Sequence, residues 1–358
     1  MMKTVRHFLI FAMTVLIPLT PGCGGGGSDG APAAAPASTQ VIIYHAGSLS
    51  AAFNNMTGAF RRATGIQVIH KAFGSVEAAK RVTVGKEPAD IYASADYTNI
   101  DAFLKPTYAD YNIQIAQGQM VLAYTTDSKG AILNNLDQID PTNSKPLYSS
   151  LAAVPNAVSN WYQILIDNNA LIGGADPNAD PGGYRAFMIM QLASIFYADP
   201  TIYAKLVKNQ VITVTGIDVL GTTYDYSFTY EHSAQAAAKA DKTGKYRYVH
   251  LPDDINLSNP AKAAYYRQAF VNVAGLTATD PAVPIEGTRV TWGLTVLKSA
   301  PHPDAALSFL QFMFSPQGIA LQKAVGPDPI GLTGPAVVSL DDYLKLPSSL
   351  QPLVGIRP

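Results

Sequence analysis

The sequence predicts an α/β fold in which mixed, mostly parallel sheets are flanked by helices. Apolar runs rich in β-branched residues read as strands covered on both faces. Stretches with apolar residues at helical spacing follow them, and the two patterns alternate from Val41 onward. The chain has 358 residues, enough for two medium lobes or one large domain.

The first strand is QVIIYHA, a continuous apolar run. In SLSAAFNNMTGAFRRATG, residues Leu49, Phe53, Met56 and Phe60 share one helical face, and Gly65 supplies a stop. IQVIHKAF is the second strand, SVEAAKRVTVG a short helix after Gly74, and ADIYASA the third strand. A second series begins near Gln119 with the strand QMVLAYT. Tyr184, Phe187, Met190 and Gln191 then mark a long helix whose start is crowded with Asp, Pro and Gly. YDYSFTYEHSAQAAAKA reads as a strand running into a helix, and YRYVHLP as another strand. TRVTWGLTVLKSAPHPDAALSFLQFMFSPQGIALQKAVG reads as strand, turn and one long amphipathic helix started by Pro301, Pro303 and Asp304. In such sheets functional loops follow the carboxyl ends of strands, which singles out Gly47-Ser48, Gly74-Ser75 and Ser94-Ala95-Asp96. A Gly-Ser turn opening a helix suits an anion, and it equally suits an ordinary helix cap.

Composition narrows the function. Charged residues are 14% of the chain and the formal net charge is −1, so no broad basic field exists to hold nucleic acid or an anionic membrane. Any bound anion must be held by local dipoles and a few placed side chains. The six histidines form no HExxH pair, and no phosphate-binding P-loop is present, which argues against an enzyme. The start, MMKTVRHFLIFAMTVLIPLTPGC, has basic Lys3 and Arg6 and a short apolar stretch from Phe8 to Leu19. It resembles a bacterial lipoprotein signal ending at Cys23, the sole cysteine, although Thr20 stands where that signal usually has leucine. Plain secretion with an incidental cysteine is the simpler alternative. Residues 24–40, poor in bulky side chains, form a flexible tether.

The strings YHAGSLS, GSVEAAKRVT, ADIYASADYTNI, YADYNIQIAQGQMVLAYT, DPNADPGGYRAFMIMQLA, LPDDINL and WGLTVLKSAPHPDAALSFLQFMFSPQG occur in order. Together they resemble the tungstate/molybdate-binding branch of the extracytoplasmic solute-binding proteins of ABC transporters. The resemblance implies a two-lobe, type II periplasmic-binding-protein fold with hinge crossovers. It implies lobe 1 from residues 41–124 and 288–358, and lobe 2 from 125–287. It implies a tungstate or molybdate ligand, no cofactor, an ABC permease as partner, and a monomer outside the cytoplasm. That monomer would sit in the periplasm or at the cell surface, tied to a membrane only through lipidated Cys23.

The family's turns carry oxyanion donors onto Gly47, Ser48 and Ser75, with Ser94 a further candidate and Tyr184 closing over the ligand. Neutral hydroxyls and helix-start N–H groups suit a dianion because they donate without adding full counter-charge. In the tungstate-specific branch an Asp and a Glu also approach the metal and expand its coordination. Sulfur in sulfate cannot accept such ligands, so the carboxylates would repel it. That role falls to Asp180, ahead of Asp176, and to Glu231. The family's SVA reads HSA after Glu231, so the register is open, and were Thr229 the true position the second carboxylate would be missing. Gly182 stands where the family often has cysteine, and Arg185 is expected to tie the lobe together. Sulfate, phosphate or a small organic solute remains the alternative ligand, and a secreted enzyme on the same scaffold the remote one.

Overall fold

The computed structural model describes residues 39–131, 161–212, 219–329 and 336–357. Cys23, the leader and nearly all of the tether lie outside them. In chain order the elements begin with β1 (Gln40–Ala46), α1 (Ser50–Thr64), β2 (Gln67–Phe73), α2 (Ser75–Thr83), β3 (Ile91–Ser94), β4 (Ile113–Gln117) and β5 (Met120–Thr125). There follow α3 (Trp161–Asp167), β6 (Ile172–Gly174), α4 (Pro181–Phe196), α5 (Thr201–Lys208), β7 (Gln210–Ile212), β8 (Tyr226–Tyr230), α6 (Glu231–Ala240) and β9 (Tyr246–His250). The last group is α7 (Ala263–Tyr266), β10 (Phe270–Val273), β11 (Val283–Glu286), β12 (Thr291–Val296), α8 (Pro303–Met313), α9 (Pro316–Lys323), β13 (Asp328–Pro329), β14 (Ala336–Val338), α10 (Leu340–Tyr343) and β15 (Val354–Ile356).

These strands build two mixed sheets, each flanked by helices. The first runs β15-β14-β4-β12-β3-β1-β2, with β13 also on β4; the second runs β7-β6-β8-β5-β9. The expected parallel character belongs to β2-β1-β3, β14-β15 and β7-β6-β8. Antiparallel pairing enters with β4, β5 and β12, the strands that carry the chain between sheets. The chain leaves the first sheet at Gly118-Gln119 and returns to it at Val290-Thr291. The two crossings are braced to each other by Gly118 N–H donating to Val290 O (3.1 Å). The β10–β11 hairpin packs beside α4 in the second lobe.

Local chemistry explains the elements that frame the site. Helix α1 buries Phe53, Met56 and Phe60 on its expected face, and Gly65 ends it at φ +76°, a conformation in which a side chain is strained. Phe53 and Phe60 meet Phe309 of α8 at ring distances of 5.9 and 5.2 Å, each buried ring contributing roughly 1.5–3 kcal/mol. Strand β5 is covered on both faces, as its apolar run requires. Met120, Leu122 and Tyr124 enter the main core, while Val121 and Ala123 enter a smaller one with Ala234 and Ala237 of α6. The long amphipathic helix expected near the carboxyl end is two helices. Pro316 cannot donate to a preceding turn, and Ser315 caps the new start through Gly318 N–H.

Candidate functional site

The turns after β1, β2 and β3 all face the second lobe, and each is tied to it by hydrogen bonds. After β2, the first N–H groups of α2 are engaged: Val76 N–H and Glu77 N–H donate to Ala179 O at 2.9 and 3.2 Å. Gly74 permits this approach, since a Cβ there would lie 2.4 Å from Ala179 O. After β3, the Tyr184 hydroxyl donates to Asp96 Oδ2 (2.8 Å), and Arg185 Nη1 donates to Ala95 O (2.8 Å) and Tyr230 Oη (2.9 Å). Arg185 Nη2 and Asp96 Oδ2 form a fully buried ion pair at 3.2 Å. After β1, His232 Nε2 lies 3.0 Å from Ser48 O. Because a carbonyl only accepts, Nε2 bears the proton, and burial pushes the imidazole down to about 4, so it is neutral at pH 7.

Between these ties lies a cleft of about 350 Å³, lined from the first lobe by Gly47 and Ser48. The second lobe lines it with Ala175, Asp180, Gly182, Ser227, Phe228, Thr229, Tyr230 and Ser233. Ser227 and Thr229 alternate along β8 and therefore share a face. Ser233 sits in the first turn of α6, whose N–H groups have no intrahelical partner. The lining contains neither Lys nor Arg, and its single acidic side chain is Asp180. Asp180 caps α4 by accepting from Gly182 N–H at 2.7 Å through Oδ1, while Oδ2 accepts no hydrogen bond among the described residues. Burial raises its carboxyl above the ordinary range, and Glu77 adds to the rise against the Gly182 N–H and Arg185.

The expected site residues divide accordingly. Gly47, Ser48 and Asp180 come together in the cleft. Ser75 does not line it; its Oγ is buried and accepts from Ala95 N–H at 2.9 Å, bracing one turn against the next. Ser94 is also buried, accepting from Asp96 N–H at 3.0 Å and Asn99 Nδ2 at 3.4 Å. Tyr184 is buried with its hydroxyl committed to Asp96, and its partner Arg185 ties lobe to lobe rather than lining the cleft. Glu231 opens α6 beside the cleft but outside its lining; its Oε1 is 2.7 Å from His250 Nε2 and its Oε2 accepts from Gln119 Nε2 at 2.7 Å. Thr229, two residues earlier, occupies the wall. Asp176 instead caps the turn before α4, accepting from Asn178 N–H at 2.8 Å. Sequence reasoning gave Ser227, Ser233 and His232 no place at the cleft, although the period-two hydroxyls of SFT, at a strand end leading into a helix, were a usable signal.

Among the described residues no cluster of three His, Cys, Asp or Glu groups could hold a metal ion, and no helix is long and apolar enough to cross a membrane. The cleft lining is uncharged apart from the one carboxylate of Asp180.

Residues 41–326 match the family described as bacterial extracellular solute-binding protein. The chain is 32% identical over 348 residues to the molybdate/tungstate-binding protein WtpA of Pyrococcus abyssi, covering 88% of this chain and 90% of that one. Its fold is similar to that of the sulfate-binding protein SubI of Mycobacterium tuberculosis (TM-score 0.53, 15% identity, 83% of this chain and 88% of that chain). It is also similar to the periplasmic molybdate-binding protein of Azotobacter vinelandii (TM-score 0.50, 16% identity, 80% of this chain and 98% of that chain).

Proposed function

This chain belongs to the bacterial extracellular solute-binding protein family, and from that premise we propose that it captures molybdate or tungstate in the cleft between its lobes and delivers it to an ABC-transporter permease. The observation that supports this reading best is the cleft wall itself. Ser48, Ser227, Thr229 and Ser233 line it together with one partly desolvated carboxylate, Asp180, and no Lys or Arg lines it. A dianion finds donors for its oxygens there, without a counter-charge that would hold it too firmly for release. Ser48 and the Gly47 turn donate from one lobe, and β8 and the start of α6 from the other. Asp180 turns its free oxygen to the metal, which tungsten and molybdenum can accept and sulfur cannot. In this reading one carboxylate ligates, because Glu231 is occupied at the crossover by Gln119 and His250.

The lobes close about the crossovers at Gly118-Gln119 and Val290-Thr291, with the Ala179, Asp96 and Ser48 contacts forming on closure. Delivery takes place outside the cytoplasm, with Cys23 as the membrane tether. Titration calorimetry with tungstate, molybdate, sulfate and phosphate tests the reading. Tungstate and molybdate should bind far more tightly than sulfate. Equal affinity for sulfate would remove the role of Asp180 in selection, and no oxyanion binding at all would refute the function.

A further inference from the structure

Trp292 lies on β12 beneath the cleft, wholly buried and outside the lining. Its Nε1–H donates to Ser48 Oγ at 2.9 Å. An indole N–H has no acceptor capacity, so the serine oxygen is the acceptor in this bond, and its single proton must point elsewhere. Ser48 Oγ has no other partner among the described residues, and Ser48 borders the cleft. The main chain of the same residue is pinned separately, by His232 on its carbonyl. The indole is itself held in place: Tyr230 and His232 lie at ring distances of 4.9 and 5.3 Å, and Gly118 leaves only 3.0 Å between a would-be Cβ and the six-membered ring.

We infer that Trp292 is a positioning residue, which commits the Ser48 hydroxyl to act as a donor into the cleft. The inference rests on the proposed reading of Ser48 as an oxyanion contact. Without the indole, the hydroxyl rotor is free to turn its proton toward protein, and a bound oxyanion oxygen meets a lone pair for part of the time. Binding one acceptor-only ligand then includes the cost of fixing that rotor.

The chain has two tryptophans, so nitrogen-15 labelling of the full chain gives two indole signals, and Trp161→Phe assigns them. In the absence of any oxyanion, Ser48→Ala should shift the Trp292 indole signal and speed its hydrogen exchange, while Ser48→Thr, which keeps the hydroxyl, should restore it. Tungstate affinity should fall about five- to tenfold in Trp292→Phe, the size expected of one hydrogen bond. The double variant Trp292→Phe/Ser48→Ala should bind no more weakly than Ser48→Ala alone. An indole signal unmoved by Ser48→Ala, or losses that simply add in the double variant, would overturn the positioning role. If Trp292→Phe does not fold, the Ser48→Ala and Ser48→Thr spectra decide alone. A wild-type chain that binds neither tungstate, molybdate nor any other oxyanion yet shows the indole shift would instead refute the proposed function.

Discussion

Replacing Gly74 by alanine separates closure of the lobes from folding of the chain. An added Cβ would sit 2.4 Å from Ala179 O and 2.9 Å from Ala179 C, closer than real Cβ contacts come, and the obstacle is backbone. Gly74 itself has φ −63° and ψ 143°, an extended conformation any residue adopts, so alanine does not strain the chain locally. Relief must therefore come from moving Ala179 away by roughly 1 Å, since unstrained carbon–oxygen contacts lie nearer 3.5 Å. That movement breaks the hydrogen bonds from Val76 N–H and Glu77 N–H. At about 0.5–1.5 kcal/mol each, the closed arrangement loses about 1–3 kcal/mol. Because 1.4 kcal/mol is tenfold, tungstate affinity should drop about 5- to 150-fold. The open chain should keep its stability, or gain about 0.5 kcal/mol from the less flexible unfolded state. Calorimetry gives the affinity, urea unfolding without ligand gives the stability, and small-angle scattering with and without tungstate gives the compaction. Wild-type affinity with unchanged compaction would refute the reasoning, because the Ala179 contact would then play no part in the bound state.

Three further outcomes follow from the same geometry. Asp180→Asn preserves the cap on Gly182 N–H but removes the charge, so tungstate affinity should fall by about tenfold or more with sulfate little changed, whereas Glu231→Gln should stay within about threefold. Calorimetry showing the reverse order would move Glu231 into the site. Tyr184→Phe should cost about 1–2 kcal/mol of the closed state by removing the hydroxyl from buried Asp96, so affinity for every oxyanion should fall alike in calorimetry and the tungstate-to-sulfate ratio stay unchanged. A changed ratio would restore Tyr184 as a ligand contact. Burial holds His45 and His232 at about 4, below the ordinary 6.5, so the unfolded chain takes up protons first as pH falls. Their stabilisation is complete above pH 6.5 and is lost as pH drops toward 4, amounting to about 3 kcal/mol for wholly buried His45. Thermal melts between pH 7 and 4 should show that loss, shallower in His45→Gln; an unchanged slope in that variant would contradict the assignment.

Much of the scaffold was legible because its signals are local. QVIIYHA is strand β1 from end to end, and the Phe53, Met56, Phe60 spacing with its glycine stop is α1. The break before Pro316 was also written in the chain, as a Ser-Pro pair inside an otherwise helical pattern. Strands β13, β14 and β15 were not readable, since two or three residues have no periodicity of their own and take their conformation from β4 or from each other. The site followed the same rule. Residue type singled out Ser48 and Asp180, which line the cleft, but direction keeps Ser75 and Ser94 out of that lining, their hydroxyls turning toward neighbouring backbone in the same lobe. That Thr229 lines the cleft and Glu231 does not rests on where β8 ends, one residue before the glutamate, and on Gln119 and His250, which approach from distant parts of the sequence. Trp292 reaches Ser48 across 244 positions, beyond any pattern in a single stretch.

The ion pair between Arg185 and Asp96 gives the lobe junction an unusual economy. Both groups are stripped of water where the lobes meet, and an ion pair so placed gains little over two hydrated charges. Hydrophobic contact in the same place would act as glue, holding the empty protein shut. A desolvated pair acts more like a counterweight: its attraction when joined is nearly balanced by hydration when parted. In the proposed cycle the junction is therefore poised rather than locked, and the small surplus supplied by the cargo decides which way it tips.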